Sequence, residues 1–261
     1  MMEPSTYATR LDPVDGAARR RTLSSLVSAL WRTPQQRRLV IALLAALGSM
    51  LVFARITEDY LTNDPLASWD ISLARWLVEH RSAVGLDLFN AITNVGSPAV
   101  SLVIATIVCV VLYRRRQIAD AALLPVVLGG GELLNLVLKL SFHRARPQLG
   151  VVELDTYSYP SGHAMIATAA YGAFAYLLWR RARARRARIL VSAGMVTVVV
   201  LVSLSRIYLG VHYLSDVLGG IAAGTIWLAL SIALQAAYGE RFVARFTGSR
   251  IDRFARRLTR A

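Results

Sequence analysis

The 261-residue chain has one cysteine, one lysine and few charges for its length. Cys109 has no second thiol to pair with, which excludes an internal disulfide and a cysteine-based metal site. Charged residues make up 18% of the chain, against about 25% in soluble domains. Acidic groups are the scarcer sign, 16 against 30 basic ones, for a net charge of +14. A basic balance of that size can mean a nucleic-acid partner, but such proteins spread their cations over one folded face. Here the cations stand in short blocks between long uncharged runs, which argues against that class.

Between the blocks the chain is apolar. Hydrophobic residues make up 55% of it, too many for a disordered polymer. Runs with few or no charges give spans at about 38–56, 94–113, 120–140, 162–180, 188–205 and 216–238. Each is long enough to cross a hydrocarbon core of about 30 Å as a helix, and none alternates as a barrel strand does. The expectation is an all-α integral membrane six-helix bundle. It comprises a cytoplasmic tail over 1–37, a six-span domain over 38–240 and a basic cytoplasmic tail over 241–261. Because no apolar segment precedes Leu39, no cleavable signal peptide is expected.

Arginine counts supply an orientation. Seven precede span one, three follow span two, six follow span four and seven follow span six, so 23 of the 30 basic residues share one side. The positive-inside rule makes that side, with both termini, cytoplasmic. The same blocks are expected to contact anionic lipid headgroups. The external stretch between spans one and two places Trp69, Leu73, Trp76 and Leu77 at helical spacing against Asp70, Arg75 and Glu79. That pattern predicts an amphipathic helix lying on the outer membrane surface.

With the arginine blocks as the inner reference, the other polar residues acquire a depth. Lys139 lies 23 residues after Arg116, His163 lies 17 before Arg180, Arg206 lies 18 after Arg188, and Asp216 lies 25 before Arg241. All four reach the outer membrane edge, and polar groups at such positions are functional candidates by default.

Three ordered blocks hold them: Lys139-Leu-Ser-Phe-His-Arg-Ala-Arg146-Pro147, Pro160-Ser161-Gly162-His163, and Ser205-Arg206-Ile-Tyr-Leu-Gly-Val-His212-Tyr-Leu-Ser-Asp216. Lys139, Arg146 and Arg206 offer cations for phosphate oxygens, and arginine's planar fork suits bidentate contact. Ser161 and Gly162, just ahead of a helix, can present a hydroxyl and backbone N–H groups to an anion. His212 and Asp216 are four apart, so a carboxylate at the start of span six can hold one imidazole nitrogen and leave the other free to attack phosphorus.

The three blocks resemble the signature of the type-2 phosphatidic acid phosphatase superfamily, over roughly residues 90–237. That resemblance implies a phosphohistidine at His212, with His163 protonating the leaving oxygen and then activating water. It implies no metal and no cofactor. The expected function is hydrolysis of a lipid phosphate or diphosphate at the extracytoplasmic face. Undecaprenyl diphosphate, phosphatidylglycerophosphate and phosphatidic acid are left open as substrates. A phosphotransferase with the same site and a non-catalytic lipid-binding or transport protein are the alternatives. Vanadate-dependent haloperoxidation, found in soluble members, is disfavoured by the six spans.

Other residues carry weaker expectations. Glu132, Asn135 and Lys139 share one helix face, with a structural hydrogen-bonding role expected for Glu132. His143 is a marginal substrate contact, His80 is packing, and Arg144 is a headgroup or rim contact. Gly129-Gly130-Gly131 and Gly220-x-x-x-Gly224 predict close helix approach.

Overall fold

The computed structural model describes residues 31–62, 65–148, 150–151 and 154–247, so most of the N-terminal tail and the end of the C-terminal one lie outside the described residues. Among the described residues all regular structure is helical. The helices are α1 (Pro34–Thr62), α2 (Pro65–Glu79), α3 (Ala83–Val95), α4 (Pro98–Arg114), α5 (Ile118–Phe142), α6 (Gly162–Arg181), α7 (Arg185–Tyr208) and α8 (Leu214–Thr247).

Local sequence explains several boundaries. Ser82 caps α3 by accepting the Gly85 N–H at 3.1 Å, and Ser97 caps α4 with Pro98 in its first turn. The side-chain oxygen satisfies a donor that the helix start leaves open, and proline there loses no bond. α5 closes at His143, which takes a left-handed conformation at φ 48° and donates its N–H to Lys139 O at 3.1 Å.

Five segments are long and apolar enough to cross a membrane: Pro34–Thr62, Ala83–Arg114, Ile118–Phe142, Arg185–Tyr208 and Leu214–Gly239. The expected span over 162–180 is not among them, although α6 forms there. Its position accounts for its composition. Ala164, Met165, Ile166, Ala167, Ala169, Ala170 and Ala173 are all buried, so α6 is sheathed by protein and needs no apolar face toward lipid.

α6 packs against α5, α7 and α8, and α1 runs along α8. The α6–α8 contact is close because α8 turns glycines toward it. A Cβ on Gly220 would stand 2.6 Å from Ser161 O, and one on Gly224 2.4 Å from Met165 O. Those distances forbid any side chain, so the predicted close approach is realised at backbone level. Of the triple glycine in α5, Gly130 and Gly131 face Trp227 and Ile166, whereas Gly129 meets no neighbour. Outward, Leu43, Leu44, Leu47 and Leu51 on α1 and Leu102, Val103 and Ile107 on α4 are exposed. A surface this apolar belongs in lipid.

The region expected to hold a surface helix forms α2, with Trp69 and Trp76 exposed and Leu73 and Leu77 packed against the cluster of Ala164, Ile207 and Val217. Asp70 departs from its expected polar, solvent-facing position. It is 2% exposed and points into the bundle, toward partners described below.

Candidate active site

The third motif is a rigid splice between two helices. At the end of α7, Gly210 N–H bonds Ile207 O at 2.9 Å and Val211 N–H bonds Arg206 O at 3.2 Å, with Gly210 at φ 69°. This is a Schellman turn, whose left-handed position suits glycine. α8 then starts at once, with Val217 N–H bonding Tyr213 O at 3.3 Å. Asp216 Oδ2 accepts the Tyr213 N–H at 2.8 Å, the return half of a capping box. The spacing from Arg206 to His212 to Asp216 is therefore a helix end, a cap and a helix start, with no slack between them.

His212 is 3% exposed. Its Nδ1 lies 3.4 Å from Asp216 Oδ2, and its Nε2 lies 3.2 Å from Arg146 Nη1. A guanidinium only donates, so Nε2 is the lone-pair nitrogen and the ring proton sits on Nδ1, toward the carboxylate. Burial pushes the imidazole pKa down to about 4; Asp216 pulls it upward, and Arg146 and Arg206 push it further down. The ring is a neutral base at physiological pH.

Three cations surround it. Arg146 Nε donates to Thr156 O at 2.7 Å, its Nη2 to Thr156 Oγ1 at 2.8 Å and its Nη1 to Val211 O at 2.8 Å. Lys139 Nζ donates to Tyr157 O. Arg206 Nη1 donates to Thr93 Oγ1 at 2.8 Å, while its Nε has no hydrogen-bond partner among the described residues. The connection from α5 to α6 is pinned in turn by Ser158, whose N–H bonds Arg144 O at 2.8 Å and whose hydroxyl bonds Ala145 O at 3.0 Å.

The second motif meets the third through Ser161, whose N–H bonds Asp216 O at 2.9 Å at the cap of α6. Its hydroxyl is fully buried and without a hydrogen-bond partner among the described residues. Lys139, Arg146, Gly162, His163, Arg206 and His212 line one cavity of about 560 Å³, joined along α5 by Glu132 and Asn135. Asp216 stands behind His212, outside the lining. The eight residues expected to carry the chemistry thus lie in the cavity wall or directly behind it. His143 does not line it: the ring is exposed and sits edge-on to Tyr157 at 4.5 Å. His80, just past the end of α2, stacks on Trp76 at 4.4 Å and takes no part in the cavity lining.

Arg144 corrects its expected role as a rim contact. It is 9% exposed, and its guanidinium donates to Asp216 Oδ1 at 2.6 Å, Ser215 Oγ at 2.6 Å and Asp70 Oδ2 at 2.8 Å. Tyr60 and Tyr213 cover it, each ring centroid 4.4 Å away. Burial works against its charge, but the two carboxylates more than offset that and hold its pKa above the usual arginine value. Asp70 also accepts the Ser215 N–H at 2.9 Å and the Ser215 hydroxyl. Tyr60 carries no expectation from the sequence, Tyr213 and Ser215 are unassigned positions of the third motif, and Asp70 is expected only on the polar face of α2.

A profile described as the PAP2 superfamily matches residues 120–239. Phosphatidylglycerophosphatase B of Bacillus subtilis (strain 168) is 31% identical over 182 residues, covering 68% of this chain and 89% of its own. The chain belongs to the PAP2 superfamily. A crystal structure of a transmembrane PAP2-type phosphatidylglycerolphosphate phosphatase from Bacillus subtilis superposes with a TM-score of 0.64 at 28% identity. That match covers 77% of this chain and 96% of the other. The protein is accordingly a multi-helix membrane hydrolase of the PAP2 lipid phosphatase class.

Proposed function

We propose that the chain is a metal-independent phosphatase that cleaves a lipid phosphate or diphosphate through a phosphohistidine at His212, on the extracytoplasmic side of the membrane. One observation carries the reading: a neutral, oriented imidazole and three cations face a single cavity, with a second histidine on its wall. The relatives act on phosphatidylglycerophosphate by name, which puts that lipid first among the three candidates, ahead of undecaprenyl diphosphate and phosphatidic acid.

Phosphoryl transfer needs charge on the nonbridging oxygens, an in-line nucleophile and a proton for the leaving oxygen. Lys139, Arg146 and Arg206 supply the charge, and the Gly162 N–H and Ser161 supply donors at the helix start. His212 Nε2 forms the N–P bond as the ester P–O bond breaks, and His163 gives its proton to the departing oxygen. Asp216 stabilises the imidazole as it becomes positive, while Arg144 and Asp70 keep that carboxylate in place. In the second half His163 takes a proton from water, whose oxygen attacks phosphorus and releases His212 and inorganic phosphate.

The membrane arrangement belongs to the same reading. α6 serves as the fourth of six spans, inside a sheath of the other helices, with α3 and α4 together forming the second. α2 lies at the outer surface with Trp69 and Trp76 at headgroup depth. The arginine blocks stay on the cytoplasmic side against anionic headgroups. Leu133 and Leu136 are exposed beside the cavity and give a lipid substrate an apolar way in from the bilayer.

The test is inorganic phosphate release by purified protein in EDTA, over the three lipids and glucose 6-phosphate. Release from a lipid that persists in EDTA is expected. Transfer of the phosphoryl group to an acceptor without free phosphate, or a strict metal requirement, would overturn the proposal.

A further inference from the structure

The cavity is larger than a phosphate cradle requires. Beyond Lys139 it continues down α5 past Asn135 and Glu132, about 6 Å and about 10 Å along the helix from the lysine. The wall there is polar and unanswered. Asn135 is 9% exposed with its Oδ1 unpartnered, and Glu132 Oε1 is buried and unpartnered, among the described residues. Helix hydrogen bonds already satisfy the backbone at this depth, so two side-chain acceptors left open inside a membrane protein are costly unless something donates to them.

Their position says which part of a substrate meets them. The Asn135 amide lies against Gly162, where an added Cβ would stand 2.9 Å from Nδ2. Gly162 immediately precedes His163, which in the proposed mechanism protonates the leaving oxygen. Asn135 and, one turn further, Glu132 therefore lie on the leaving-group side of the phosphate. Leu133 and Leu136, the next residue along in each case, face outward and are exposed. A lipid leaving group runs along this wall with its tails toward the leucines and its first few atoms beside the amide and the carboxyl.

Resting on the phosphatase reading, we infer that Glu132 and Asn135 form a subsite for a free hydroxyl on the leaving group, close to the phosphate it carries. A hydroxyl donates its one proton to one of the two open acceptors and can accept from the Asn135 amide, so a single group can bond both residues. The subsite favours lipid phosphates of the glycerophosphoryl type over those whose neighbouring oxygens are all esterified and over plain prenyl chains. A site built to hydrogen-bond a substrate hydroxyl discriminates strongly against its absence, because the buried polar groups are then left open.

The test compares two synthetic lipids that differ by one oxygen: phosphatidylglycerophosphate and its analogue with the terminal glycerol's secondary hydroxyl replaced by hydrogen. Wild-type full-length protein is expected to prefer the hydroxylated lipid by about tenfold or more in kcat/KM. Glu132→Met and Asn135→Leu are expected to bring that ratio to within about a factor of two of unity. Equal turnover of both lipids by the wild type, which needs no variant, overturns the subsite and leaves the phosphatase reading standing. A ratio that survives both substitutions also overturns it. Absence of phosphate release from either lipid by folded wild-type protein overturns the phosphatase reading and the subsite together.

Discussion

Arg144 Nη1 lies 2.6 Å from Asp216 Oδ1, with the two side chains 10% and 0% exposed. That bond occupies Oδ1, while Oδ2 accepts the Tyr213 N–H and lies 3.4 Å from the imidazole Nδ1. Asp216 therefore has one available orientation. Asp70 completes the arrangement from α2, balancing a buried cation with two carboxylates and linking the outer helix to the start of α8.

Arg144→Met is expected to destabilise the fold strongly, by about 3–5 kcal/mol, because it leaves Asp70 and Asp216 buried without their counter-charge. Thermal unfolding in detergent reads this. Asp70→Asn keeps the shape and most hydrogen bonds, so it is expected to fold and to lose about tenfold in kcat with little change in KM. A drop confined to KM would remove Asp70 from the positioning of Asp216.

Asp216→Asn is expected to leave substrate binding largely intact and to slow attack at His212 by two or more orders of magnitude, since an amide can turn its NH₂ toward Nδ1 and favour the wrong tautomer. Single-turnover kinetics against a binding measurement separate the two effects. Near-normal chemistry in this variant would contradict the orientation of His212 described here.

His163→Gln is expected to lose activity on lipid substrates yet retain phosphoenzyme formation from an aryl phosphate, whose leaving group needs no protonation. Hydrolysis of that phosphoenzyme also needs the histidine, so labelled protein accumulates. Equal losses of phosphoenzyme formation from alkyl and aryl substrates would argue that His163 only shapes the cavity.

The pH dependence of stability has a defined sign. His212 is held neutral, with a pKa of about 4 in the folded protein against about 6.5 in an unfolded chain. The unfolded state thus binds the proton more readily, and the contribution is complete above about pH 6.5 and lost as pH falls toward 4. Thermal unfolding of wild type and His212→Gln across that window is expected to show the difference moving in the variant's favour as the solution is acidified. A difference that does not change with pH would mean that His212 is charged in the fold.

Much of the site was legible because its spacing is local. The Schellman turn and capping box that set Arg206, His212 and Asp216 fall within eleven consecutive residues, and counting from the arginine blocks put each polar group at its helix end. Arg144 escapes a local reading because its partners Asp70 and Asp216 lie 74 and 72 positions away, and no local pattern reports a contact of that range. Asp70 was misread for the opposite reason. Amphipathic periodicity put it on the polar face of α2, and tertiary pairing turned that position inward. α6 illustrates a third case, in which protein surroundings relax the demand for apolar residues that hydropathy relies on.

The most direct measurement is rapid quenching of turnover with lipid labelled in the phosphate, followed by mapping of the label on the protein. The mechanism predicts acid-labile, base-stable label on His212 of the wild type, accumulating in His163→Gln when the donor is a labelled aryl phosphate, and absent from His212→Ala, which should release no phosphate. Full phosphate release by His212→Ala would contradict it.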